Sequence, residues 1–259
     1  MSEHQPLSIE VRGPESGERV LLLNPMASNS QSWYPLVKSL GDYEIVLLEY
    51  PGYDGRPYAA AASVEELARR ASAALRALPP KPIHLVGYSF GSWVAQQIAL
   101  LGEVEVKSLV LIGSSDRIYQ LGVQMTGQWA GLLDVAGLEA VLAQIAFWSF
   151  SPATFEKSAD FLQRFVQGGV AACSDPAVLR NQLEICGRYQ TRPALESIAA
   201  PTLVLRGELD FFYPRFCSEA LVDGIPGSTL VELPGVAHAA LWEDPKGVIR
   251  EIVGFLADR

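Results

Sequence analysis

Ser89 stands between Gly87 and Gly91 in the stretch HLVGYSFGSW and fits the pattern G-x-S-x-G. A serine hydroxyl is a poor nucleophile until a base removes its proton. Held at a sharp turn between strand and helix, it is lifted to the carboxyl end of a sheet, and the start of the helix adds a free N–H and positive dipole. Such a turn needs small neighbours, which Gly87 and Gly91 supply. The chemistry implied is attack on a carbonyl through a covalent serine intermediate. It requires a base, a carboxylate to orient that base, and donors for the oxyanion.

The chain has three histidines. His4 lies in a polar N-terminal stretch. His84 lies five residues before Ser89 on the strand leading to the turn. A strand advances about 3.3 Å per residue, so its ring is expected well below the sheet edge. His238, in PGVAHAALWEDP, follows one expected strand and precedes the last helix. It is the expected base. Asp210, in LVLRGELDFFYP, is the preferred orienting carboxylate, with Glu208 and Asp116 as competitors. The expected oxyanion donors are the backbone N–H of Phe90 and that of Met26, since Pro25 has none.

The elements that must position these groups alternate between strand and helix. Apolar runs at residues 19–24, 43–49, 83–87 and 108–112 read as buried strands, with helices over 32–40, from Ser63, and over 90–101. Ser63 and Glu66 in SVEE form a capping box. The alternation stops near Asp116, the following segment reads as helical and aromatic-rich, and strands resume at 201–206 and 228–233 before a final helix from Asp244-Pro245. Such βα alternation implies a mostly parallel twisted sheet with helices on both faces. The expected organisation is an α/β core of residues 1–115 and 197–259, with a helical cap inserted at 116–196. Trp129, Phe147, Trp148 and Phe150 are the expected pocket residues of that insert.

Length and composition agree with one large α/β domain: 259 residues, about half hydrophobic. A formal net charge of −9 argues against nucleic acid or an anionic membrane as partner. Three cysteines without a CxxC pair suggest neither a disulfide framework nor a structural zinc site, and fit a reducing cytoplasm. MSEHQPLSIE carries no basic and apolar signal pattern. Residues 82–102 lack charge over a length that could span a bilayer, but their glycines, serines and glutamines favour a buried strand, turn and helix.

The stretches LLLNPMASNSQSW, EYPGYDGRP, HLVGYSFGSWVAQQIAL, PTLVLRGELDFFYP and LPGVAHAALWEDP together resemble the α/β-hydrolase fold superfamily, serine-nucleophile branch. The chain order Ser89, Asp210, His238 is the one found there. The passage LEICGRYQTRPALESIAAPTLVLRGELD resembles 3-oxoadipate enol-lactonase-like hydrolases, and LLNPMASNSQSW is similar to the acyltransferase that builds the lipid part of rhamnolipids. The resemblance implies cleavage of an ester, lactone or thioester of a small acyl substrate, without metal or organic cofactor. The alternatives are transfer of the acyl group within a lipid or natural-product pathway, and a binding protein of the same fold without turnover. Where many members carry His-Gly, this chain has Asn24-Pro25; Asn24 is expected to hold the loop by its side chain and to border the pocket. Glu49 stands at the position of the family's usual acidic residue, and no catalytic role is attached to it.

Overall fold

The computed structural model describes residues 6–259, so His4 lies outside the described residues. Seven strands form one sheet: β1 (Ser8–Arg12), β2 (Arg19–Leu23), β3 (Glu44–Glu49), β4 (Ile83–Tyr88), β5 (Val106–Ile112), β6 (Thr202–Gly207) and β7 (Thr229–Leu233). Their order is β1-β3-β2-β4-β5-β6-β7, and all neighbours are parallel except the antiparallel pair β1 and β3. The helices are α1 (Tyr34–Val37), α2 (Val64–Arg76), α3 (Phe90–Leu101), α4 (Gln120–Ser149), α5 (Pro152–Lys157), α6 (Phe161–Ala172), α7 (Pro176–Cys186), α8 (Arg215–Gly224), α9 (Ala240–Glu243) and α10 (Pro245–Ala257).

The strands sort their side chains by the two-residue alternation of extended backbone. Leu21, Leu23, Val46, Leu48, Leu85 and Leu111 pack on one face with residues of α2, α3 and α8. Val20, Leu22, Ile45, Leu47, Val86 and Val110 pack on the other with α1 and α10. Central strands buried on both faces must be apolar throughout, which is why these runs stand out in the sequence. Ser63 Oγ accepts from Glu66 N–H at 3.1 Å and opens α2; Glu66 Oε2 accepts from Ala62 N–H at 2.7 Å, one residue earlier than a strict capping box.

Three elements differ from expectation. β1 was not anticipated: SIEVR is an edge strand, mostly exposed, and has no apolar run to announce it. The helix expected over 32–40 is a 3₁₀ turn, Ser30–Trp33, followed by the single turn α1. α8 was also missed. It carries Cys217 and Leu221 inward after Pro214, a stripe too short to stand out.

Between Ile112 and Thr202 the helices are α4–α7 and the 3₁₀ segment Arg192–Ser197. The chain leaves and re-enters the core side by side: Ile118 N–H donates to Tyr189 O at 3.0 Å and Thr191 N–H to Asp116 O at 2.6 Å. α4 has the length and composition of a membrane span. It is two helices that meet at a kink at Gly137, where φ is 80° and ψ −177°. Its buried residues, among them Trp129, Leu133 and Leu142, pack with Leu179 and Leu183 of α7. The uncharged stretch 82–102 forms β4, the turn and α3 at the centre of the core.

Candidate active site

The sheet order reverses direction at β2, whose neighbours are β3 and β4. In such sheets the crevice outside the carboxyl ends of the strands at the reversal is where ligands bind. Ser89 follows β4 there, and the loop carrying Met26 follows β2.

Ser89 has φ 51° and ψ −116°, a left-handed conformation that a side chain resists. It is held from both sides: its N–H donates to Ile112 O at 2.8 Å, and its carbonyl accepts from the Ser92 hydroxyl. The turn closes only without side chains beside it. A Cβ on Gly87 would lie 2.5 Å from Gly91 O, and one on Gly91 would lie 2.1 Å from Leu23 O. The second contact packs the start of α3 onto the end of β2.

His238 Nε2 lies 3.0 Å from Ser89 Oγ, and its Nδ1 lies 2.9 Å from Asp210 Oδ2. An ionised carboxylate only accepts, so Nδ1 carries the proton and Nε2 accepts the serine hydroxyl. Both His238 and Asp210 are buried. Phe212 meets the imidazole edge-on at 4.9 Å between ring centres. The His238 carbonyl accepts from the Tyr88 hydroxyl at 2.7 Å. Glu243, which the sequence reading passed over, ties this loop to the insert. It accepts from Ala237 N–H at 2.7 Å, Ser151 N–H at 2.8 Å and Ser151 Oγ at 2.7 Å.

The competing residues have other partners. Glu208 Oε2 accepts from Gly235 N–H at 2.8 Å. Asp116 is buried against the Arg192 guanidinium and accepts from the Tyr119 hydroxyl at 2.9 Å. His84 is buried, with Nδ1 2.7 Å from Ser108 Oγ; burial pushes its pKa down, and the nearby Glu18 only partly opposes this.

Among the described residues neither Met26 N–H nor Phe90 N–H has an acceptor. The loop that carries Met26 is built on Asn24 and Glu49. Asn24 Nδ2 donates to Leu48 O at 2.8 Å and to Glu49 Oε2 at 3.1 Å, and Trp33 Nε1 donates to Asn24 Oδ1 at 2.9 Å. Glu49 Oε1 accepts from Ser30 N–H at 2.7 Å, and burial raises its pKa above the ordinary carboxylate value despite that bond. Asn24 is therefore fully buried beneath the loop and does not border the pocket, because all its polar atoms are turned into the core.

A cavity of about 580 Å³ opens above Ser89 and His238. Its lining is mainly apolar, with Trp129 and Phe150 of the expected residues in it. Phe147 and Trp148 are not. Phe147 is half exposed and stacks on Phe155 at 5.7 Å, while Trp148 stacks on Phe211 at 4.6 Å on the outer side. Phe147, Trp148 and Phe150 lie close in sequence, and Phe150 turns inward where α4 has ended and its backbone is extended (φ −110°, ψ 148°). Cys186 also lines the cavity, but burial raises its thiol pKa, so it stays a neutral apolar wall. Among the described residues no group of three or more His, Cys, Asp or Glu is placed to hold a metal ion.

The pattern of the alpha/beta hydrolase family matches residues 20–251. A pimeloyl-[acyl-carrier protein] methyl ester esterase of Aeromonas hydrophila is 26% identical over 263 residues, covering 96% of this chain and 100% of its own. RutD of Variovorax paradoxus, whose name assigns it carbamate hydrolysis only provisionally, is 28% identical over 256 residues, covering 97% and 96%. The enol-lactonase of Burkholderia xenovorans superposes with a TM-score of 0.85 at 17% identity, covering 97% of this chain and 96% of its own.

Proposed function

Because the chain belongs to the alpha/beta hydrolase family, we propose that it cleaves a carboxylic ester, lactone or thioester through an acyl-enzyme on Ser89. The observation that carries this reading is the unbroken hydrogen-bonded chain from Ser89 through His238 to Asp210 at the floor of an apolar cavity. The name of the Aeromonas relative supports an ester as the bond broken.

Ser89 Oγ attacks the carbonyl carbon while His238 Nε2 takes its proton. Asp210 keeps the Nδ1 proton in place and stabilises the imidazolium. The oxyanion forms between Met26 N–H and Phe90 N–H, where the start of α3 adds its positive end. His238 then hands the proton to the departing alcohol or thiol. Water attacks the acyl carbon, gives a proton to Nε2, and the acid leaves as Ser89 regains its own proton. Helices α4–α7 act as a cap: they supply the apolar walls for the acyl group and keep bulk water from the ion pair.

Intact mass after treatment with a fluorophosphonate tests the reading. Wild type is expected to gain a single adduct and Ser89→Ala none. A folded wild type that takes no adduct would overturn it.

A further inference from the structure

One polar side chain of α7 reaches the loop that follows β2. Gln182 is buried, and its Oε1 accepts from the Tyr53 hydroxyl at 2.8 Å and, more weakly, from Ala27 N–H at 3.4 Å. Its neighbour Asn181 fixes the helix at that point: Oδ1 accepts from Ala61 N–H at 2.9 Å, and Nδ2 donates to Ala61 O at 2.8 Å. One turn earlier Val178 is seated on Gly52, where a Cβ would lie 2.3 Å from Val178 Cγ2. Residues 178, 181 and 182 share one helix face, so α7 delivers the Gln182 oxygen from a fixed place.

Ala27 needs such a hold. Its φ is 57°, a left-handed conformation that an alanine side chain resists, and Gln182 Oε1 is the acceptor of its N–H. That N–H belongs to the Met26–Ala27 peptide. The Asn24–Pro25 peptide is tied as well, since Asn24 O accepts from the Tyr50 hydroxyl at 3.3 Å. The peptide carrying Met26 N–H lies between these two, and the Pro25 ring fixes φ within it. Its direction follows from the tethers on either side. The Gln182 amide is used on one side only: Nε2 is buried and has no partner among the described residues. An apolar side chain of the same volume would avoid that cost, so the accepting oxygen is the half that matters.

We propose that Gln182 is a positioning residue for the Met26 oxyanion donor, holding Ala27 in its left-handed conformation so that Met26 N–H stays aimed at the reacting oxygen. This inference rests on the acyl-enzyme reading above. Gln182 is not among the residues that line the cavity, so it acts through the loop. Without its oxygen, Ala27 relaxes toward negative φ, the Met26–Ala27 peptide turns, and the donor moves off the place where charge develops. An oxyanion forms in both half-reactions, so acylation and deacylation slow together while the acyl group keeps its walls.

The test compares wild type with Gln182→Met, which keeps the length without the acceptor, and Gln182→Glu, which keeps an accepting oxygen in either protonation state. Turnover of p-nitrophenyl hexanoate gives kcat and KM. Hexylboronic acid, which forms a tetrahedral adduct with a serine, reports the oxyanion site. A displaced donor costs less than a deleted one, so in Gln182→Met kcat is expected to fall about tenfold with KM within about twofold. The inhibition constant of the boronic acid should rise by the same factor. Gln182→Glu should stay within about threefold of wild type on both measures. If Gln182→Met does not fold, Tyr53→Phe carries the test: loss of the hydroxyl that orients the amide should give the same split at about threefold. Unchanged kcat and boronate inhibition in the folded variant would overturn the proposal. So would a rise in KM at constant kcat, or a folded Gln182→Glu as slow as Gln182→Met. Absence of fluorophosphonate labelling in wild type would instead overturn the acyl-enzyme reading itself.

Discussion

At the carboxyl edge of the sheet every proposed reacting group is tied by polar contacts to the end of a strand. Ser89 N–H reaches Ile112 O at the end of β5 (2.8 Å), Asp210 N–H reaches Gly207 O at the end of β6 (3.1 Å), and His238 O accepts from the hydroxyl of Tyr88, the last residue of β4 (2.7 Å). In the roof formed by α4–α7 the facing surfaces meet almost wholly through apolar side chains, such as Trp129, Leu133, Leu142, Leu179 and Leu183. Hydrogen bonds to strand ends hold an atom to a fraction of an ångström. Apolar packing holds a volume, and it accepts changes of side chain that keep volume and patterning. Under the proposed function the two regions divide the work: the edge sets which bond is attacked, and the roof sets what shape of acyl group reaches it.

The largest effect should come from Asp210→Asn. Asparagine preserves the shape but offers an NH₂ where Nδ1–H needs an acceptor, and the wrong tautomer then faces Ser89. A fall in kcat of about 10⁴-fold is expected in ester turnover, with little change in KM. A loss below tenfold would mean that the edge is less exacting than the roof and would break the comparison.

A roof substitution should act on selectivity instead. Gly168 of α6 lines the cavity, and a Cβ built there meets no atom within 4 Å. Gly168→Leu should fill part of the acyl space without straining the helix. Turnover of p-nitrophenyl decanoate is expected to fall about 10- to 100-fold while the acetate stays within about twofold, a difference read from kcat/KM along an acyl series. An equal loss for both esters would show that the roof also positions the reacting groups.

The smallest effect concerns Glu49, which lies under the Met26 loop. Its folded pKa is raised above the ordinary value of 4.5, with desolvation as the first cause. A raised folded pKa contributes stability that is complete below the unfolded value and is lost as pH rises through the folded one. Glu49→Gln carries no titrating group. The Tm of wild type minus that of Glu49→Gln should therefore be highest below about pH 4.5 and decline as pH rises, by a few degrees at most. A difference that grows with pH would show the Ser30 and Asn24 bonds outweighing desolvation.

Legibility in the sequence followed the range of the forces involved. The strands of the core were readable because burial on both faces demands unbroken apolar runs, and β1 was not, because an exposed edge strand makes no such demand. Both Asp210 and Asp116 follow a strand, and Asp210 was preferred for the chain order Ser89, Asp210, His238; the arginine that occupies Asp116 lies 76 residues away and left no local mark. Tyr213, whose N–H donates to Asp210 Oδ1 at 3.0 Å, and Glu243 were overlooked for the same reason. A tyrosine after Phe-Phe and a glutamate before Asp-Pro look like ordinary loop and helix residues until the residues they hold are placed beside them. A search for polar residues within five positions of each proposed reacting group would have raised both.

By itself the sequence determined the local device: a buried strand, a turn that only Gly87 and Gly91 permit, and a helix that begins at Phe90. Those features depend on neighbours a few residues apart, where backbone sterics and burial act directly. Only the tertiary structure decided that His238, 149 residues beyond Ser89, stands 3.0 Å from its hydroxyl, that Asn24 faces the core, and that Phe150 turns inward while Trp148 turns out. Those outcomes depend on where the sheet reverses and where α4 ends, and both are set by packing between segments distant in the chain.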